Sequence, residues 1–336
     1  MNDKYVLGAD IGYGGLKSVG GPANFVMPIE GQGLFKKRST AVPAHKYNGR
    51  MDGGADGYEV IVGGKPYRTC FDPARVVSTA RNLGANYSTT DEYRALFHTS
   101  LLMTGRTKID YLVTGLPMEQ FKDGKTAEQI ESWMTGAHEV QPGRVVTVLK
   151  TKVIAQPYGG FMEFLYRHSD GVDVETATIM VIDPGTYSVD WSVFTRLSPM
   201  TELNSSSTKA SYVMLDLVAS AIRRDHGVSV PVGDLESNVI EGRSSMMVGG
   251  EIVELNSYIK AAAKELVPDV MVEIMGVLKK SRTPDRVVLV GGGAMFYEEA
   301  LREELGNKVV VVPKDPVSAN ARGFFLYGCQ NMSGDD

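Results

Sequence analysis

The sequence predicts a duplicated α/β protein, two related halves that each carry a mixed sheet covered by helices on both faces. Three observations predict it. A short apolar run ending in Asp-x-Gly occurs twice, at residues 5–11 with Asp10 and Gly12 and at residues 178–183 with Asp183 and Gly185. Each run continues through a turn of equal length, Asp10-Ile-Gly-Tyr-Gly-Gly-Leu-Lys17 and Asp183-Pro-Gly-Thr-Tyr-Ser-Val-Asp190, into more strand-like sequence at 18–27 and 191–203. Alternating helix-like and strand-like sequence follows each meander, the order that builds a mixed sheet between two helical layers.

Residues 5–11 and 178–183 are rich in branched side chains and bounded by glycine, which favours strand over helix. In the first half, helical character at 91–104 precedes a strand at 109–114 that ends at Gly115-Leu-Pro117, a helix-compatible stretch at 125–137 and a strand at 145–155. In the second half, 211–226 and 256–280 read as helices, 286–290 as a strand ending at Gly291-Gly-Gly293, 295–305 as a helix, 308–312 as a strand and 317–328 as a closing helix. The glycine-rich, basic segment 29–68 reads as an inserted subdomain or mobile loop. The junction falls near 157–177, where Asp170-Gly171 marks a turn. The expected domains are 1–156, completed by helix 317–330, and 157–316, with a helical insert at about 211–280.

A length of 336 residues suits two ordinary domains, and 43% hydrophobic with 22% charged residues is the balance of a soluble globular protein. No apolar run approaches the roughly 18 residues needed to span a bilayer, and the N-terminus lacks the h-region of a signal peptide, so no membrane role is expected. Cys70 and Cys329 lie far apart and the five histidines are scattered, against a disulfide framework or zinc site and in favour of a cytoplasmic setting. With a net charge of −5 and only the short basic cluster Lys36-Lys37-Arg38, no direct nucleic-acid binding is expected.

The two turns carry the chemistry. A carboxylate at the carboxyl end of a strand stands where α/β folds place ligands, and glycine lets backbone N–H groups approach phosphate oxygens. Asp10 and Asp183 are expected to hold Mg²⁺ through its waters, since that ion sheds its shell reluctantly. Gly12, Tyr13, Gly14, Gly15, Gly185, Thr186 and Tyr187 would line the phosphate path, with Lys17 as a point charge on it. A third element, Val288-Leu-Val-Gly-Gly-Gly-Ala-Met295, leads a strand through three glycines into a helix. Gly291, Gly292, Gly293 and Ala294 there could pass an adenine ring and ribose close to the backbone. Lys209 and Ser211, at the start of helix 211–226, are candidates to hold the nucleoside, with Ser211 as a plain helix N-cap the alternative. Competing phosphate signatures fail: Gly124-Lys125-Thr126 has Glu119 where a P-loop needs glycine, and the first turn has Lys17 where a dinucleotide fingerprint needs its third glycine.

This ordered set resembles the actin, heat-shock-chaperone and sugar-kinase ATPase superfamily, and within it the plasmid-segregation actins of the ParM/StbA type. The resemblance rests on the two phosphate motifs at Asp10–Lys17 and Asp183–Asp190 and on the adenosine motif Gly291–Ala294. Gln156-Pro-Tyr-Gly159 and Ser318-Ala-Asn-Ala-Arg-Gly323 are similar to the two connecting segments, and Thr114-Gly-Leu-Pro117 to a strand end common in ParM-type proteins. It implies an actin-like (ribonuclease H-like) fold of two mixed five-stranded sheets, with ATP or GTP and Mg²⁺ in the interdomain cleft. It also implies Gln156 and Asp183 as the catalytic pair, Gln156 orienting the attacking water. Pro184 and Tyr187-Ser188 depart from the family's second phosphate turn, which bears on rate and phosphate contacts.

Three classes share such a cleft. A heat-shock-type chaperone needs a peptide-binding domain, for which the sequence after the last helix leaves little room. A sugar-type kinase needs a substrate pocket and often a His/Cys zinc motif, which two isolated cysteines do not supply. A polymerising ATPase fits best, self-associating head to tail, with segments 29–68 and 227–255 as candidate contacts. It would move plasmid DNA through a separate DNA-binding adaptor protein.

Overall fold

The structure, a computed structural model, describes residues 4–24, 33–47, 57–72, 86–279 and 282–333. The first half begins with β1 (Tyr5–Ile11), β2 (Gly15–Pro22), β3 (Leu34–Arg38), β4 (Ala41–Pro43), β5 (Tyr58–Val62) and β6 (Lys65–Thr69). It continues with α1 (Asp91–Met103), β7 (Lys108–Ile109), β8 (Tyr111–Leu116), α2 (Met118–Lys122), α3 (Lys125–Met134), β9 (Gly136–Gln141), β10 (Arg144–Val148) and β11 (Thr151–Ala155). Helix α4 (Gln156–Arg167) leads to the second half: β12 (Thr178–Pro184), β13 (Val189–Thr195), β14 (Ser198–Pro199), β15 (Ser205–Ser207), α5 (Ser211–His226), α6 (Val232–Ile240), β16 (Ser245–Val248) and β17 (Glu251–Glu254). The chain then forms α7 (Leu255–Leu278), β18 (Arg286–Leu289), α8 (Ala294–Leu305), β19 (Val310–Val311) and α9 (Ala319–Ser333).

The duplication is visible in the sheets. The first has the order β11-β8-β1-β2-β3, and the second β14-β13-β12-β18-β19, with β15 also paired to β13. In each, a central strand runs antiparallel to the next strand and parallel to one that arrives after a helix. The second sheet therefore has six strands rather than the expected five, because its edge is split between β14 and β15.

Side-chain alternation on buried strands sends neighbouring residues to opposite helical layers. In β1, Val6 packs with Phe324 and Phe325 of α9, while Leu7 and Ala9 pack with Leu96 and Phe97 of α1. In β12, Ile179 and Val181 meet Phe161 and Phe164 of α4, while Met180 and Ile182 join Met214 of α5, Ile274 of α7 and Tyr297 of α8. Helices α4 and α9 lie against each other between the two sheets. Their contact is closest at glycine: a Cβ on Gly323 would lie 1.8 Å from the Gly159 carbonyl oxygen.

Several expected elements change. The strand at 145–155 is two strands in different sheets, since β10 pairs with β7 and β9 whereas β11 joins β8. Residues 149–150 form the break, with Leu149 53% exposed. The returning strands start earlier, at Gly15 and Val189, and end at Pro22 and Thr195; residues 25–27 of the first lie outside the described residues. Helix 125–137 stops at Met134, where Thr135 is already extended, and the closing helix runs from Ala319 to Ser333. The junction is largely helix α4. Of segment 29–68, β3 joins the main sheet and β4-β6-β5 form a small sheet of their own, while 29–32 and 48–56 lie outside the described residues. Helix α6 and the β16–β17 hairpin occupy the stretch read as a contact surface.

Candidate functional site

The site begins with two hairpin turns that close in the same way. Gly12 N–H donates to the Gly15 carbonyl at 3.0 Å, and Gly185 N–H donates to the Ser188 carbonyl at 2.7 Å. Each acidic residue has a cross-strand partner seven positions on: Asp10 faces Lys17, and Asp183 faces Asp190. In the first half that pair is an ion pair, Lys17 Nζ to Asp10 Oδ2 at 2.7 Å. In the second half it sets two carboxylates side by side, both buried.

The turns face each other across a cavity of about 770 Å³. Asp10, Gly12, Tyr13, Gly14, Gly15, Lys17, Gln156, Asp183, Gly185, Thr186, Tyr187, Gly291 and Gly292 all line it. Gln156, the first residue of α4, donates from Nε2 to Asp10 Oδ1 at 3.2 Å. Asn320 of α9 donates from Nδ2 to Asp183 Oδ2 at 2.7 Å. The turns also touch: Tyr13 stacks on Tyr187 with ring centroids 4.8 Å apart, and a Cβ on Gly14 would meet Thr186 Oγ1 at 2.2 Å. An aromatic stack of this spacing contributes about 1 kcal/mol beyond its area burial.

Gly293 and Ala294 are not brought to the cavity. Gly293 is buried behind its wall, its N–H donating to the Pro184 carbonyl at 2.8 Å, and Ala294 is likewise buried. Three glycines in a row are therefore used in two ways. Gly291, with φ +84°, sits where a Cβ would lie 2.1 Å from Asp183 Oδ1, whereas a Cβ on Gly292 would meet nothing within 4 Å. A phenylalanine at Gly292 is thus expected to leave the melting temperature unchanged and lower nucleotide affinity at least about tenfold, read by fluorescence titration. Unchanged affinity would move the nucleoside elsewhere.

Lys209 also lies outside the cavity, ion-paired with Asp269 at 2.8 Å and near Glu273 on α7. Ser211 is the first residue of α5 and Ala210 is the cap, so the hydroxyl does not cap the helix. Ser211 lines the cavity, but its Oγ lies beside Gly293 and is buried without a hydrogen-bond partner, as is Asn320 Oδ1. Buried polar atoms are normally paired, so each of these two has room for a bond to an ordered water or a polar ligand group.

Sequence reasoning missed the far wall and the clasp beside it. Leu215, Val239, Ile240, Met295 and Phe296 line the cavity, and Ile240 and Met295 remain 54% and 64% exposed. Apolar positions at Leu235 and Val239, four apart, were the available signal for α6. Arg38 of β3 reaches across to α6, donating to Ser237 Oγ at 2.8 Å and pairing with Asp72 and Glu241. That link joins residues about 200 positions apart and has no local signature.

Burial, then the nearby Asp10 and Asp190 carboxylates, raises the Asp183 pKa to about 7 against the opposing pull of Asn320 and Lys17. Burial also raises that of Asp190, which accepts from Ser188 Oγ at 2.6 Å and from Met118 N–H at 2.9 Å. Folding therefore favours the protonated Asp183, and the associated stability is lost as pH rises from the ordinary carboxyl range through about 7. The nucleotide-free protein should lose up to about 1.4 kcal/mol per pH unit over that window relative to Asp183→Asn. Melting curves at pH 5.5, 6.5 and 7.5 for both proteins check this; parallel curves would mean that Asp183 titrates normally.

The excess of carboxylates over cations fits a divalent cation. Among the described residues no cluster of three or more His, Cys, Asp and Glu side chains is placed to hold a metal ion directly. Among the same residues no helix is long and apolar enough to cross a membrane.

Two sheets of matching order, joined by paired central helices and presenting twin Asp-x-Gly turns to a shared cleft, define the actin-like fold. Residues 8–159 match the family described as actin like proteins N terminal domain, and residues 181–303 match archaeal actin homologue MreB-like, C-terminal. The chain belongs to the actin-like proteins. No curated protein matches the sequence. Among solved structures it is similar to a pCBH ParM non-polymerisable quadruple mutant, at 18% identity and TM-score 0.78, over 97% of this chain and 99% of that one. It is also similar to the ParM of a 15-stranded filament from Clostridium botulinum, at 17% identity and TM-score 0.77, over 98% and 99% of the two chains. A third is Ta0583, an archaeal actin homolog, in complex with ADP, at 17% identity and TM-score 0.73, over 97% and 99%.

Proposed function

We propose that this protein is a nucleoside triphosphatase that binds Mg-ATP or Mg-GTP in the cleft, assembles head to tail into filaments and hydrolyses the nucleotide as they age. The observation that carries the reading is the pair of acidic turns facing each other, with Gln156 and Asn320 hydrogen-bonded to their carboxylates. One structural relative is a filament and another a complex with ADP. In this reading residues 1–156 with helix 317–330 form one domain and 157–316 the other, closing on the nucleotide.

Phosphoryl transfer depends mainly on positioning and electrostatics. Gly12 to Gly15 and Gly185 to Tyr187 flank the phosphate path, and Lys17, now paired with Asp10, supplies positive charge beside it. Bound Mg²⁺ would neutralise phosphate charge, held through water by Asp10 and Asp183. The Gln156 amide orients the attacking water, and Asp183, with its pKa near 7, is suited to take its proton. The apolar wall of Leu215, Val239, Ile240, Met295 and Phe296 grips a base by its faces, so both purines are accepted. Plasmid or other DNA segregation, through a DNA-binding adaptor, is the cellular role that we assign to such filaments.

Right-angle light scattering with phosphate release in the same sample tests the reading. A rise on adding Mg-ATP or Mg-GTP that decays as phosphate appears is the expected result. Flat scattering despite nucleotide binding would overturn it and point to a small-molecule kinase.

A further inference from the structure

The filament reading requires two different faces that fit each other, and the second half of the molecule carries a pair that the cleft does not use. The first is the outer face of the β16–β17 hairpin. Met247 and Ile252 are direct cross-strand partners, yet they are 64% and 71% exposed, while Val248 and Val253 of the same hairpin are buried in the core. Val228, also exposed, sits beside Gly249 at the hairpin's tip, and Glu254, on the same face as Ile252 by strand alternation, adds an exposed carboxylate, whereas Glu251 projects to the other side and meets His226. Adjacent exposed apolar side chains rimmed by charge mark an interaction surface rather than random surface composition.

The second face is the turn between β13 and β14. Thr195 pairs with Ser198, so Arg196 and Leu197 alone make the turn, with φ of 52° and 64°. Both positions of such a turn favour Asn or Gly, and two large side chains there are strained. Strain of this kind concentrates where a side chain must be displayed. Leu197 is 46% exposed, and Arg196 is exposed and makes no side-chain hydrogen bond or ion pair among the described residues.

Chain topology sets these faces at opposite poles. Arg196 N–H donates to the Ala177 carbonyl, just before the amino end of β12, whereas Asp183 at the other end of that strand faces the cleft. Helix α5 starts at the cleft with Ser211 and ends at His226, which reaches Glu251 of the hairpin and Tyr258 of α7. Helix α7 then returns past Lys209 toward β18, whose first residues lie beside the amino end of β12. The 24 residues of α7 alone cover roughly 36 Å of the separation.

We propose that the Met247–Ile252 face of one copy docks on the Arg196–Leu197 turn of the next, forming the head-to-tail contact of the filament. The contact sets Leu197 against Met247 and Ile252, and the unpaired Arg196 cation against Glu254. Distinct, complementary faces at opposite poles give a heterologous contact that extends into a row instead of closing as a dimer. This proposal rests on the filament reading above.

The test uses two full-length variants, Met247→Glu with Ile252→Glu, and Arg196→Glu with Leu197→Asp. Each alone should stay monomeric in Mg-ATP at concentrations where the wild type scatters light, while binding a fluorescent ATP analogue with wild-type affinity. Each variant keeps the face that the other lacks. An equimolar mixture should therefore yield a 1:1 dimer in sedimentation velocity, and nothing longer. Ile252→Thr, which keeps a β-branched residue in the strand, should raise the critical concentration several-fold and serves if a double variant misfolds. Variants that assemble like the wild type, or a mixture that stays monomeric, would overturn the contact while leaving the filament reading intact. A wild type that binds nucleotide and never assembles would overturn both.

Discussion

Asp183→Ala is expected to abolish Mg-dependent nucleotide hydrolysis, lowering turnover about 10²–10⁴-fold, the range by which a positioned acid–base group acts. The carboxylate stands at the carboxyl end of β12, 5% exposed, between the cavity and Asn320. Losing it removes the proposed proton acceptor and one of the two carboxylates proposed to hold the water shell of Mg²⁺. The fold should survive, because Asp183 is a buried acid whose neighbours Asp10 and Asp190 already disfavour its charge. The substitution strands one Asn320 donor and relieves that repulsion, so the melting temperature of the nucleotide-free protein should move by only a few degrees. Phosphate release and a thermal melt on the same preparation separate the outcomes. Undiminished turnover would refute the role of the second turn; a collapsed melt would make Asp183 structural.

Gly323→Val is the second large effect. The α4–α9 crossing is a backbone-on-backbone contact, since Gly323 faces the Gly159 carbonyl and a Cβ on Gly159 would meet the Asn320 carbonyl at 2.8 Å. A valine cannot rotate out of a clash with main chain, so one helix must shift. Overpacking of this kind costs about 3 kcal/mol or more. The shift also moves Asn320, one turn earlier on α9, away from Asp183. A clear fall in melting temperature should therefore accompany weaker nucleotide binding. Gly276→Ala provides the contrast. That glycine lies within α7 with nothing within 4 Å of its would-be Cβ, and alanine there should be neutral or stabilising by up to about 1 kcal/mol. Equal melting of both variants would mean that the crossing tolerates a wider spacing.

The sequence by itself determined the features written in consecutive residues. The two Asp-x-Gly turns, the duplicated strands around them and the glycine run after β18 were legible because apolar runs, glycine punctuation and equal turn length are local signals. The helices at 91–103, 211–226 and 319–333 were legible for the same reason, to within a few residues at their ends. Tertiary structure alone decided which of those residues share a surface. Gln156 meets Asp10 across 146 positions and Asn320 meets Asp183 across 137, distances over which no periodicity operates. The same is true of the Arg38 clasp. Consecutive glycines look alike in sequence, yet packing against Pro184 buries Gly293 and leaves Gly292 open to the cleft. Likewise the run at 145–155 reads as one strand because its side chains are uniformly strand-like. Only the competition between two sheets for partners, β9 for its first part and β8 for its second, divides it.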